Sequence, residues 1–157
     1  MCDCCKVSNV KKESNLCPKC SAEGLFVPFK TVENLIIDEL KKELQKELKY
    51  FICTNPTCDI VYFNTENAYT KKNIKVPVWF KDGSLDVPIC YCSNVTRREI
   101  IREVAVNKTS KTVEDIKKNT GAMKNPNCLL NNPLGKCCHK AIEDEIKKAL
   151  EYTGDLI

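Results

Sequence analysis

A single histidine occurs in the 157 residues, and that scarcity narrows the chemistry at once. A Rieske centre needs two histidines and is excluded. No nucleophile-base set forms around the lone imidazole, and carboxylates such as Glu143 and Glu145 lie on a Lys/Glu-rich helical segment, where they read as solvated surface. There is no glycine-rich phosphate loop, no internal repeat and no low-complexity tract. An enzyme is therefore not expected. No apolar run approaches the ~20 residues of a membrane span, and the start, MCDCCKVSNVKK, lacks the apolar core of a signal peptide. The expectation is a cytoplasmic protein with no membrane partner. Net charge is only +4, with Lys and Glu interleaved rather than massed, which disfavours a nucleic-acid partner.

What the sequence has in excess is cysteine, twelve in all. Thiols stay reduced in the cytosol, so a surplus there points to metal rather than disulfides. CPKC (17–20) and CTNPTC (53–58) form two close pairs separated by a predicted strand and helix. Two such chelating turns offer four thiolates, Cys17, Cys20, Cys53 and Cys58, in the tetrahedron that Zn²⁺ takes in closed structural sites. A redox dithiol at CPKC and plain buried cysteines are the alternatives. Zinc would also steady a small core, since it contributes roughly 10–16 kcal/mol of apparent binding energy to folding in zinc-finger peptides.

The pattern of elements predicts an α+β chain in two parts: a small mixed α/β zinc-binding domain over 17–86, then an all-helical helix-turn-helix domain over 87–157. A loose arm, 1–16, precedes them. GLFVPFKT predicts a strand. TVENLIIDELKKELQKELKY (31–50) carries apolar residues at Val32, Leu35, Ile36, Leu40, Leu44 and Leu48, the spacing of a one-sided helix capped by Thr31. YFICTNPTCDIVYFN reads as strand, turn, strand, and IKVPVWF as a further strand before a hinge at 82–88. In the second half, Thr96 and Glu99 spell a capping box opening a helix, Thr112 to Asn119 is a short helix stopped near Gly121, and a last helix runs from Cys138 to Tyr152.

The second half has its own cysteines: Cys90 and Cys92 in PICYC, Cys128, and Cys137 with Cys138 in LGKCCHK. In extended chain Cys90 and Cys92 face one side. The set matches no common zinc module and suits a 2Fe-2S cluster held by loops at helix starts, with a second zinc site as the alternative. On the last helix, Cys138 aligns with the apolar stripe Ile142, Ile146 and Ala149. Cys137 aligns instead with Ala141, Glu145 and Lys148 and is expected toward solvent.

CYCSNVTRREI and TGAMKNPNCLLNNPLGKCCHKAIEDEI resemble the bacterioferritin-associated ferredoxin type of 2Fe-2S domain. CPKCSAEGL, ICTNPTCDIVYFN and PICYCSNVT, in this order, are similar to the N-terminal region of the archaeal CopZ-type copper chaperones, over roughly residues 17–153. The resemblance implies zinc at Cys17, Cys20, Cys53 and Cys58, and a 2Fe-2S cluster at Cys90, Cys92, Cys128 and Cys138. It implies one-electron transfer linked to copper or another soft metal, such as reduction of Cu(II) to Cu(I), with an electron donor or metal-handling protein as partner. The alternative is a docking ferredoxin that presents its cluster to a larger protein. The copper-carrying βαββαβ module of that family is not expected in this chain. Cys2, Cys4 and Cys5 lie outside the matched region; three soft thiolates within four residues could bind Cu⁺ or be a frayed terminus. His139, at the edge of the buried stripe, is a candidate cluster ligand, hydrogen-bond donor to cluster sulfur, or packing residue.

Overall fold

A computed structural model describes residues 15–124 and 126–151. The soft-metal candidates Cys2, Cys4 and Cys5, and the predicted helix end at Tyr152, lie outside them. The first half is built on a four-stranded antiparallel sheet in the order β1 (Leu25–Val27), β2 (Tyr50–Ile52), β3 (Ile60–Phe63), β4 (Ala68–Thr70). Every residue of β3 is buried, as expected for a strand with neighbours on both edges and apolar side chains on both faces. One face of the sheet carries the core of Val27, Val32, Leu35, Ile36, Ile52 and Tyr62. Toward the other, Cys17, Cys53, Cys58, Ile60 and Phe63 form a separate cluster.

The helix expected over 31–50 is much shorter. α1 spans Phe29–Leu35, entered from Pro28, so Thr31 lies inside the helix rather than capping it. The chain turns extended at Ile36, where Ile37 N–H donates to Asn73 O (2.9 Å) and Lys75 N–H to Leu35 O (2.8 Å). A bridge pairs Ile36 with Ile74. The β-branched pair Ile36-Ile37 thus joins a strand-like contact that overrides the helical spacing. A 3₁₀ helix, Asp38–Glu43, follows, and Leu40 and Leu44 pack on the core from it. Ile74 supplies only that bridge, so IKVPVWF is not a strand: its two internal positions after Val76 are Pro77 and Val78, and 79–81 form a turn.

The second half is helical apart from an antiparallel ribbon, β5 (Pro88–Cys90) and β6 (Val95–Thr96), a correction to the all-helical expectation. Its reversal uses Asn94 at φ 52°, a left-handed position that Asn tolerates. α2 (Arg97–Ile101) opens on the predicted capping box of Thr96 and Glu99 and runs on as a π-helical turn, Arg102–Val106. α3 (Val113–Thr120) has a second capping box, Thr112 with Asp115, and ends on Gly121 at φ 79°. The loop before the last helix contains a short α4 (Cys128–Asn131) that periodicity did not indicate. α5 (His139–Leu150) begins with Cys138 at its N-cap position. Ile89, Ile100, Val104, Ile116, Ile142 and Ile146 form the core of this half.

Contacts on two sides tie the halves together. Arg97 donates to the carbonyls of Trp79 (2.7 Å), Asp82 (2.8 Å) and Ser84 (3.0 Å), and its Nε lies 3.3 Å from Glu145 Oε2. Glu145 is therefore buried, 3% exposed, and not the solvated carboxylate that its Lys/Glu neighbours indicated. On the other side the loop 128–135 crosses back onto α1: Gly135, at φ 66°, lies so close that a Cβ would fall 2.5 Å from Thr31 Oγ1.

Candidate metal centres

The first cysteine set converges. Cys17 and Cys20 flank a turn closed by Cys17 N–H to Ala22 O (2.8 Å) and Ser21 N–H to Cys17 O (2.9 Å), with Ser21 left-handed at φ 61°. Cys53 follows β2 and Cys58 precedes β3 across the predicted turn, closed by Cys58 N–H to Asn55 O (3.2 Å). Cys17 Sγ lies 3.8 Å from Cys58 Sγ and Cys20 Sγ 3.5 Å from Cys53 Sγ, with all four sulfurs within 4.8 Å of one another. A tetrahedral ion with metal–sulfur bonds near 2.3 Å needs sulfur–sulfur edges of about 3.8 Å, so the quartet has the dimensions of a closed zinc site.

Backbone N–H groups aim at three of these sulfurs with one offset: Ala22 at Cys20, Asn55 at Cys53, and Ile60 at Cys58. In each case the donor lies two residues beyond the thiol, the arrangement that stabilises a thiolate as it binds metal. The Ala22 N–H holds the Cys20 thiol down at about 6, whereas burial pushes Cys53 up to about 12 and raises Cys58 as well. Lys81, only 7% exposed, reaches in from the linker to Asn55 O (2.6 Å) and Cys58 O (3.1 Å), bringing a positive charge beside a set that is negative when ionised. Nothing in the sequence distinguished Lys81 from the other lysines.

The second set has a different form. Cys90 and Cys138 are buried and hydrogen-bonded to one another, and Cys92 and Cys128, both half-buried, have their sulfurs 3.5 Å apart. These are two pairs, and no compact group of three or more forms among them as it does at the first set. Two thiol pairs are what a binuclear centre asks for, with two cysteines on each iron. Met123 N–H points at Cys90 Sγ (3.3 Å) and Asn127 N–H at Cys92 Sγ (3.1 Å), as donors to an anionic cluster should. Cys138, then the Met123 and Ser93 N–H groups, hold the Cys90 thiol down at about 5. The Cys138 thiol is raised, first by its bond to Cys90 and then by burial. Burial pushes Cys128 up to about 12.

Tyr91, between Cys90 and Cys92, anchors the ribbon to the linker: its hydroxyl donates to Pro77 O and accepts from Trp79 N–H (3.2 Å). Cys137 is exposed, the outcome expected from helix alignment, although Ala141 and Glu145 on that line are buried. His139 is not at the edge of the buried stripe. Its side chain is 56% exposed and its Nε2 lies 3.9 Å from Glu143 Oε2.

The quartet, its sheet and its knuckle-like turns define a zinc-binding domain, and residues 14–75 match a family described as the zinc-binding domain of CopZ. The chain is 32% identical over 127 residues to the copper chaperone CopZ of Archaeoglobus fulgidus, covering 81% of this chain and 59% of that protein. The X-ray structure of the N-terminal domain of that CopZ superposes with a TM-score of 0.71 at 31% identity, covering 82% of this chain and 95% of the domain. The chain therefore belongs to the family of the CopZ N-terminal domain. It spans only 59% of the length of the whole chaperone. Among the described residues no helix is long and apolar enough to cross a membrane.

Proposed function

We infer that the chain is a two-centre metalloprotein of copper or other soft-metal handling. Cys17, Cys20, Cys53 and Cys58 hold a structural zinc ion, and Cys90, Cys92, Cys128 and Cys138 hold a 2Fe-2S cluster. The carrying observation is the contrast in form: one closed quartet of sulfurs beside two separate pairs with N–H donors aimed at them. When bound, such a cluster supplies one electron, enough to reduce one Cu(II) to the Cu(I) that thiolates prefer. Cys90 and Cys138 lie in the core and Cys92 and Cys128 nearer the surface, so the electron leaves on the side of the second pair. Cys2, Cys4 and Cys5 then offer soft ligands for the Cu(I) product, which a metal-handling partner collects.

Protein purified without oxygen and supplied with iron and sulfide should be red-brown and contain about one zinc and two irons per chain. Dithionite-reduced protein should convert Cu(II) to Cu(I), read with a Cu(I)-specific chromophore. Cys138→Ser should abolish or strongly alter the visible spectrum, and Cys137→Ser should leave it unchanged. A colourless protein with two zinc ions per chain would overturn the cluster.

A second reading, a docking ferredoxin, is favoured by charge. From Ile116 to Ile142 the chain has five lysines and no carboxylate, and this stretch carries Cys128, Cys137 and Cys138. Such a rim fits an acidic redox partner. Selective binding to an iron-storage or reductase protein, without Cu(II) reduction, would favour it.

A further inference from the structure

Cys128 belongs to the second thiol set, yet the segment that carries it is held by the first half. α4 has only four residues, so its last carbonyls find no partner within the helix. α1 supplies them: Thr31 Oγ1 donates to Leu129 O and Asn34 Nδ2 to Leu130 O (2.7 Å). Beyond the helix, the hydroxyl of fully buried Tyr62, on β3, donates to Pro133 O (2.6 Å). Leu134 packs into the first-half core, and Gly135 lies against Thr31 and Pro28. Cys128, whose sulfur lies 3.5 Å from that of Cys92, is followed directly by the two residues whose carbonyls α1 clamps, Leu129 and Leu130.

The clamping elements grow directly out of the first thiol set. β1 and α1 follow Cys17 and Cys20 in the chain, and β3, with Tyr62, follows Cys58. A first set that is not closed leaves both elements less restrained, and the clamp with them. We propose that Thr31, Asn34 and Tyr62 are positioning residues for Cys128, so that closure of the first thiol set governs whether the second set is complete. The inference rests on the two-centre reading for its cluster consequences, but the clamp itself has a readout that needs no cluster.

That readout is the alkylation rate of each thiol in the zinc-loaded, iron-free full-length chain, followed by iodoacetamide pulses and mass spectrometry. The variant Thr31→Val with Asn34→Leu and Tyr62→Phe should react about tenfold faster at Cys128, the scale on which outer-shell supports act, with Cys90 unchanged. Thr31→Ser, which keeps the hydroxyl, should keep the wild-type rate. Tyr69→Phe is the control, because that buried hydroxyl has no hydrogen-bond partner among the described residues. In wild-type protein, removal of zinc should accelerate Cys128 in the same way. After iron and sulfide loading, the triple variant should lose iron to a ferrous chelator about tenfold faster and shift the visible circular dichroism. An unchanged Cys128 rate in the triple variant, or equal acceleration at all four thiols, would overturn the proposal. If the wild-type chain assembles no cluster, the two-centre reading falls and the Cys128 rates decide the clamp alone.

Discussion

Cys53 and Cys58 are the residues that set how the first site responds to pH. Burial raises both thiols, Cys53 to about 12, so both are protonated in the metal-free protein near neutrality, whereas Cys20, at about 6, is already ionised there. Zinc binds thiolates, so binding must release at least the two protons of Cys53 and Cys58. Each proton released makes apparent affinity fall tenfold per unit of acidification, so zinc affinity should drop by about 100-fold or more from pH 8 to pH 7. Competition with a chromophoric chelator at the two pH values measures this. A slope below one proton per zinc would show that the buried thiols are not ligands. At this scale the sequence told most about the first four thiols, which come together as a quartet, whereas the other four form two pairs. It said nothing of Lys81, Tyr91 or Arg97, because an ordinary lysine, tyrosine or arginine acquires its role only from the backbone carbonyls that folding places around it.

Among the elements, those with local signals formed where expected. The capping box of α2 and the Gly121 stop of α3 are chemistry within four or five residues, independent of the rest of the chain; the second box, at Thr112 and Asp115, was equally local but not singled out. The helix expected over 31–50 failed for the opposite reason. Its spacing was satisfied equally by α1, a bridge at Ile36 and a 3₁₀ turn, and the choice was made by Asn73 and Lys75, far along the chain. α4 was invisible because four residues have no period and its carbonyls depend on α1. Gly135 is the tightest point of that contact. Alanine there would put a Cβ 2.5 Å from Thr31 Oγ1 and 3.0 Å from Pro28 Cδ, on a backbone at φ 66°. Gly135→Ala should cost about 2–3 kcal/mol, the left-handed penalty plus overpacking, read from the midpoint of urea unfolding. A change under about 0.5 kcal/mol, the size of an ordinary surface substitution, would mean that the loop does not bear on α1.

For the whole molecule, the halves are joined by more than a linker. Arg97, the first residue of α2, fixes three linker carbonyls and neutralises Glu145 on α5, which Lys148 approaches from the exposed side at 3.7 Å. Arg97→Met would orphan those carbonyls and leave the Glu145 carboxylate buried with only a solvated partner. A loss of about 3 kcal/mol is expected, at the lower end for breaking a buried pair. Adding Glu145→Leu should recover part of it, since the unpaired charge goes while the carbonyls stay unserved. Full recovery, measured by denaturant unfolding of both variants, would show that the ion pair alone matters and that the carbonyl clamp does not.

The sequence by itself determined the two cysteine sets, their order and the mixed and helical characters of the halves, because chelating spacings, caps and turns act over a few residues. Only the tertiary structure decided that one set closes as a quartet and the other as two pairs. It also decided that Glu145 is buried, that His139 faces outward, and that the first half clamps the loop bearing Cys128. Those outcomes depend on which distant carbonyl, donor or apolar surface meets a side chain. Such meetings are fixed by packing between elements far apart in the chain, and no local pattern encodes them.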